Sequence, residues 1–336
     1  MRIINERAFF TSLFWYKSPF YIHIITQKSK VRSMDGIIPI YKDKGMTSHD
    51  VVFKLRRILK MKKIGHAGTL DPNVDGVLPV ALGKATKTIE FLQEAGKIYT
   101  GSITLGIATT TEDMDGDVIQ TQHLVKPFSN DEINKGMRTL TGHITQIPPM
   151  YSAVKVNGRR LYDYARAGET VERPKREAVI YEFKMTSATT FDEKKGTQTF
   201  SFLARVSKGT YIRTLAVDLG RQLQVPSVMS QLTRISAGGY DITQAHRLDE
   251  IAQRMTEKGS LGDWLMPLET AVAQYPHVEL NDEQWEKVKH GIGQPASLHE
   301  PTTEKIVLTY KGDVKSVFAW RPDKNQYRTY RTFSIE

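Results

Sequence analysis

What most constrains the fold is a set of long runs with strand patterning. Residues 97–105, 179–189 and 199–206 all read as strands, and in the last Phe200, Phe202, Ala204 and Val206 alternate with polar or smaller residues. Residues 36–41 add a short strand and residues 77–82 a buried one. Helical periodicity is sparser. Val51, Val52, Leu55, Ile58 and Leu59 form one apolar helix face behind a cap at Thr47-Ser48 with Asp50. Ser129-Asn130-Asp131-Glu132 is a capping box for a second helix ending near residues 136–142. Residues 211–223 read as a third helix, entered from Lys208-Gly209-Thr210. Strands interleaved with so few helices predict an α+β fold around a largely antiparallel sheet.

The rest of the chain divides by composition. Residues 147–176 are rich in Pro, Gly and Arg with little periodicity, and read as a loop insertion. Beyond Tyr275-Pro276, a helix capped by Asn281 (residues 282–290) and strand-like runs at 305–310, 315–320 and 327–335 predict a small β-rich appendage. Residues 1–33 are aromatic and hold six basic residues against one acid, so half of the formal +10 charge sits in a tenth of the chain. They contain neither a small-residue cleavage site nor the ~20 apolar residues of a membrane helix. Regular patterning begins after Met34. The expected division is therefore a leader at 1–33, with translation starting at Met34, a catalytic domain at 34–275 and the appendage at 276–336.

Zero Cys among 336 residues excludes disulfides, thiolate metal sites and a cysteine nucleophile, and fits a reducing cytoplasm. The nine His show no ligand spacing, so no metal is expected, and phosphate-loop, dinucleotide and hydrolase-elbow motifs are missing. The body beyond the leader is only moderately basic, which is weak evidence for a nucleic-acid partner.

The densest cluster of unusual residues is 65–76. Asp71 stands between Leu70 and Pro72 in a stiff turn, beside His66 and the lysine-rich end of the first helix. A carboxylate so fixed suits covalent or acid–base work; Asp-Pro is equally ordinary turn chemistry. Tyr99 and Tyr211 suit stacking on exposed bases, or half-buried structural roles. Amides after Gly209 suit a phosphate, and Arg213 a phosphate or carboxylate.

An ordered series of motifs then runs through residues 36–250. Gly65-His66-Ala67-Gly68-Thr69-Leu70-Asp71-Pro72 leads to Gly76-Val77-Leu78-Pro79-Val80 and Gly83-Lys84-Ala85-Thr86-Lys87. Lys97-Ile98-Tyr99, Gln146-Ile147-Pro148-Pro149, Tyr151-Ser152-Ala153, Ala165-Arg166, the stretch from Ser207 to Arg213 and Leu232-Thr233-Arg234 follow in order. The series strongly resembles the TruB-type tRNA pseudouridine-55 synthases, and the 146–168 insertion looks like their bacterial stand-alone branch. One departure is Asp43, where the family has proline after the residue matching Lys42.

The resemblance implies a pseudouridine-synthase fold with a mixed, mostly antiparallel sheet, a central cleft and a PUA-like RNA-binding C-terminal domain. It implies an isomerase that flips a T-loop uridine of tRNA, cleaves its glycosidic bond with Asp71 and re-attaches the base through carbon, an isomerisation without redox change for which no cofactor or metal is expected. By motif position Tyr99 stacks on the target base, Arg213 pairs with Asp71 and holds it ionised, and Tyr211 and Gly68 line the pocket. His66 fills the space that the flipped nucleotide leaves. Lys54, Arg56, Lys62 and Lys63 contact phosphates, with Lys208 and Arg166 also on the RNA. The expected partner is the tRNA T-arm, for a monomer with no membrane and no obligatory protein partner. The competing reading is a non-catalytic tRNA-folding protein on the same fold.

Overall fold

The computed structural model describes residues 34–335; the expectations for the leader lie outside the described residues. The chain opens with β1 (Gly36–Lys42), α1 (Ser48–Ile58), β2 (Ile64–His66), β3 (Asp75–Leu82), α2 (Ile89–Glu94) and β4 (Lys97–Leu105). A small hairpin of β5 (Ile107–Thr109) and β6 (Val118–Thr121) precedes α3 (Asn130–Thr139) and β7 (Gly142–Gln146). Then come β8 (Lys155–Val156), β9 (Arg159–Arg160), α4 (Leu161–Arg166), β10 (Arg176–Met185), β11 (Thr190–Asp192) and β12 (Thr197–Val206). α5 (Ile212–Leu223), β13 (Ser227–Ala237), β14 (Tyr240–Asp241) and α6 (Leu248–Lys258) complete this part.

The main sheet runs β1-β3-β13-β4-β12-β10-β7, with β2, β11 and β14 as side pairings. Its pairings are antiparallel except that of β3 with β13, so the fold is α+β with a mixed, mostly antiparallel sheet. Phe200, Phe202, Ala204 and Val206 of β12 are all buried, as the alternation requires. Local chemistry sets the helix starts. The Thr47 hydroxyl accepts from the Asp50 amide at 3.0 Å while the Asp50 carboxylate accepts from the Thr47 amide at 2.9 Å, and Val51, Val52 and Leu55 face the core. Ser129 and Glu132 do the same for α3. Gly76 has φ +110°, and a Cβ there would fall 2.2 Å from the Arg234 carbonyl; glycine alone lets β3 approach β13 this closely.

Two sequence expectations of element placement need correction. The strand placed at 179–189 is β10, shifted towards the N-terminus so that Arg176–Ile180 can pair with β7. The 147–176 stretch is no plain loop: it holds the β8–β9 hairpin and α4, elements too short to show a period. The longest strand among the described residues, β13, has no counterpart in the sequence patterning.

From residue 277 a second sheet follows. β15 (His277–Glu279), α7 (Asp282–Lys289), β16 (Gln294–Pro295), β17 (Lys305–Tyr310), β18 (Asp313–Arg321) and β19 (Gln326–Thr332) give the strand order β15-β17-β18-β19-β16. Ile306, Leu308, Phe318 and Tyr327 fill its core, with Trp285 of α7. It docks on α2, where Phe91 meets Tyr275, Tyr330 and Phe333 edge-on, Glu90 accepts from Tyr330 and Arg331, and Glu94 pairs with Lys305 at 3.0 Å. Among the described residues, no helix is long and apolar enough to cross a membrane.

Candidate active site

Asp71 lies in the loop between β2 and β3, and that loop is fastened from three directions. At the start of α1, the Ser48 hydroxyl accepts from the Leu70 amide at 2.9 Å and donates to its carbonyl at 3.3 Å. From β1, the Lys42 ammonium donates to the carbonyls of Asp43, Met46 and Pro72 at 3.1, 2.7 and 3.1 Å. From β13, the fully buried Arg234 donates to the carbonyls of Val77, Thr69 and Gly68 at 2.7, 3.3 and 3.1 Å. A cation that satisfies three backbone carbonyls offsets its own desolvation and removes the loop's freedom to move.

The carboxylate so held faces a cleft of about 280 Å³ lined by Gly68, Asp71, Lys97, Tyr99, Lys208, Tyr211 and Arg213, among others. Arg213 is the first-turn residue of α5 and is 8% exposed. Its Nη2 lies 3.0 Å from Asp71 Oδ2. Its other bonds reach the Thr111 carbonyl at 3.0 Å and the Tyr151 carbonyl at 2.9 Å, with Asp113 at 3.6 Å. One guanidinium thus gathers the loops after β5 and β7 around the carboxylate. Tyr99 stands on β4 with its ring largely buried in the cleft wall. Tyr211 caps α5, its amide taken by Gln146 Oε1 at 2.9 Å, so that amide is not free for a phosphate. Burial raises the Tyr211 phenol, which stays neutral at physiological pH.

The pairing of Asp71 with Arg213 does not have the expected electrostatic result. The arginine was expected to depress the carboxyl. Instead burial raises it above the ordinary aspartate value; Arg213 and Lys42 pull it down, and Asp113 and Asp115 push it further up. The side chain is still 42% accessible from the open cleft, yet it sits on the floor among protein atoms, and that desolvation outweighs one arginine.

The structure leaves three expected residues outside this cleft. His66 is half-buried on β2, and burial, with Arg234, lowers its imidazole, which is neutral at pH 7. Lys63 is exposed between α1 and β2, and Arg166 is exposed on α4 with its guanidinium 5.5 Å from the Tyr162 ring. Of the cations on and just after α1, Arg56 turns inward and donates to the Ile64 carbonyl at 3.2 Å, whereas Lys54, Lys62 and Lys63 are exposed. Sequence reasoning assigned no role to Lys42, Lys97 or Arg234, although all three fall in or beside the quoted motifs. Asp43, the departure from the family, forms an ion pair with Arg247 at the start of α6.

Lys42 and Lys97 are both lowered to about 8, chiefly by burial. Between that value and the unfolded 10.5 the unfolded chain binds more protons, so the unfolding free energy rises with pH. The urea midpoint should therefore be higher at pH 9 than at pH 7, and Lys97→Met should shrink the difference.

An α+β mixed sheet carrying this cleft, with a small second β sheet, is the fold of the pseudouridine synthases. A solved structure described as a Cbf5-Nop10-Gar1 complex matches with a TM-score of 0.66 at 25% identity, over 90% of this chain and 85% of that one. The family model "TruB family pseudouridylate synthase (N terminal domain)" matches residues 56–212, and "tRNA pseudouridylate synthase B C-terminal domain" matches 213–273. The tRNA pseudouridine synthase B of Levilactobacillus brevis is 51% identical over 303 residues, 90% of this chain and 100% of that protein. That of Lactiplantibacillus plantarum is 50% identical over 306 residues, 90% and 99% of the two chains. The chain belongs to the TruB family of pseudouridylate synthases, and is by class an isomerase.

Proposed function

We propose that the protein isomerises the T-loop uridine of tRNA, position 55, to pseudouridine, in the cytoplasm and as a monomer. The observation that carries the reading is the Asp71–Arg213 pair, 3.0 Å apart on the floor of a cleft walled by Tyr99 and Tyr211. In this reading the target nucleotide is extruded from its loop, at a cost of roughly a few kcal/mol, and its base stacks on Tyr99. Ionised Asp71 drives cleavage of the C1′–N1 bond; the base turns, C1′–C5 forms, the C5 proton leaves and N1 takes one up. The reaction is redox-neutral, and in this reading it uses no metal or cofactor. Arg213 holds the carboxylate in place, Tyr211 borders the base, and His66 fills the vacated position in the RNA.

Residues 34–275 are assigned to catalysis, with the 147–176 insertion and its Arg166 gripping the T-arm. Residues 276–336 are assigned to auxiliary RNA contact. A wider depression of about 760 Å³ there is lined by Lys305, Arg321, Lys324 and Arg328 with Trp320 and Tyr330, but also by Glu94 and Glu304, which pair with Lys305; it lacks the fastened Asp–Arg pair of the smaller cleft. Size alone does not make it the reaction site.

With transcripts carrying tritium at uridine C5, tritium should be released as C1′–C5 forms, and replacing the T-loop uridine with cytidine should abolish release. Release that survives that replacement would point to a different target. Neutralising Lys54 on α1, or Lys62 or Lys63 in the turn after it, should each lower the salt slope of tRNA binding by about 1. Arg56→Ala should leave the slope unchanged and lower the melting temperature, because its bond to Ile64 is internal.

A further inference from the structure

Lys97 is 9% exposed and lines the cleft, yet the chemistry above gives it no task. Lys42 is the natural comparison. Both lysines are buried, but Lys42 spends its protons on three carbonyls at 2.7–3.1 Å. Among the described residues Lys97 has one long contact, to the Gln93 carbonyl at 3.5 Å. Its neighbours are cations. Its Cε and the Nη1 of Arg234 lie 3.4 and 3.6 Å from the point where a Cβ on Gly68 would stand. Arg234 and Lys208 both act on it electrostatically, with no acid among its neighbours' effects. Nearby carboxylates are engaged elsewhere, Glu94 with Lys305 and Tyr275, Asp71 with Arg213.

A buried ammonium with neither a full set of acceptors nor a counter-ion costs free energy in the empty cleft. Such an arrangement fits a site whose anion arrives with the ligand. In an RNA nucleotide the anion is the phosphodiester. Lys97 and Tyr99 are two residues apart on β4, so they share a face about 7 Å apart along the strand. We infer that Lys97, with Lys208 at the rim, forms a subsite for a phosphodiester flanking the flipped uridine; the inference rests on the pseudouridylation reading above.

The test uses T-arm hairpins in which a neutral methylphosphonate replaces the linkage 5′ or 3′ to the target uridine, one at a time. With wild-type protein, one of the two replacements should lower kcat/KM by roughly tenfold to a hundredfold, the scale of a hydrogen bond to a charged group. Lys97→Met should suffer a loss of the same size on native RNA and none further on that modified RNA, while Lys97→Arg keeps most of the discrimination. Fully additive losses at both linkages would overturn the subsite. So would wild-type indifference to both linkages, a result that does not depend on any variant folding. Absence of any pseudouridine from the native hairpin with wild-type protein would instead strike at the pseudouridylation reading itself.

Discussion

Asp71→Asn is expected to lower pseudouridine formation by on the order of 10⁴-fold or more, the scale of losing a group on which the chemistry depends. The same variant should melt at or above the wild-type temperature. Folding raises the Asp71 carboxyl, so the folded state favours its protonated form and the ionised group costs stability at neutral pH. Amide replacement removes that charge. It does not strand the arginine, which keeps the carbonyls of Thr111 and Tyr151 and the neighbouring Asp113. Activity lost with stability kept is the signature of a group retained for chemistry. A large fall in melting temperature would mean that Asp71 is chiefly a structural turn residue.

Arg213→Ala should have the second-largest effect, and it acts in two ways. Removing a buried cation that gathers Asp71, Asp113 and two carbonyls should cost roughly 3–5 kcal/mol of stability. Turnover should fall about 10²-fold or more while tRNA affinity changes little, since the arginine points at the carboxylate rather than at solvent. The pH profile separates these effects. Activity requires ionised Asp71 and is lost as pH falls through its folded-state pKa. Arg213 lowers that pKa, so its removal should move the acid limb of kcat to higher pH. Arg213→Lys, which keeps the charge but not the planar fork, should fall between in both respects. Equal losses in turnover and affinity, with an unmoved acid limb, would contradict this role.

How much of this was legible in the sequence depended on how local the physics is. The caps at Thr47, Ser129 and Asn281 are set by residues three apart and could be read directly. The Phe200–Val206 alternation needs only the period of a half-buried strand. β13 was illegible because its polar residues are consumed inside the sheet. Ser230 bonds Ser102 and Thr104, Thr233 bonds Asp75, and Arg234 holds three carbonyls, so a buried strand reads as a polar mixture. The burial of Lys42 was equally hidden, since its acceptor on Pro72 lies 30 residues away. The sign of the Asp71 shift failed for a related reason. An arginine partner can be guessed from a motif, but the desolvation that outweighs it exists only in the assembled cleft.

The central claim is that this cleft converts one T-loop uridine through Asp71. The most direct measurement maps pseudouridine at single-nucleotide resolution in unmodified tRNA transcript after incubation with wild-type protein and with Asp71→Asn. The account predicts modification at the T-loop uridine by wild type alone, with tRNA binding retained in the variant. Tight binding by both proteins with modification by neither would contradict it and favour a tRNA-folding role on the same fold.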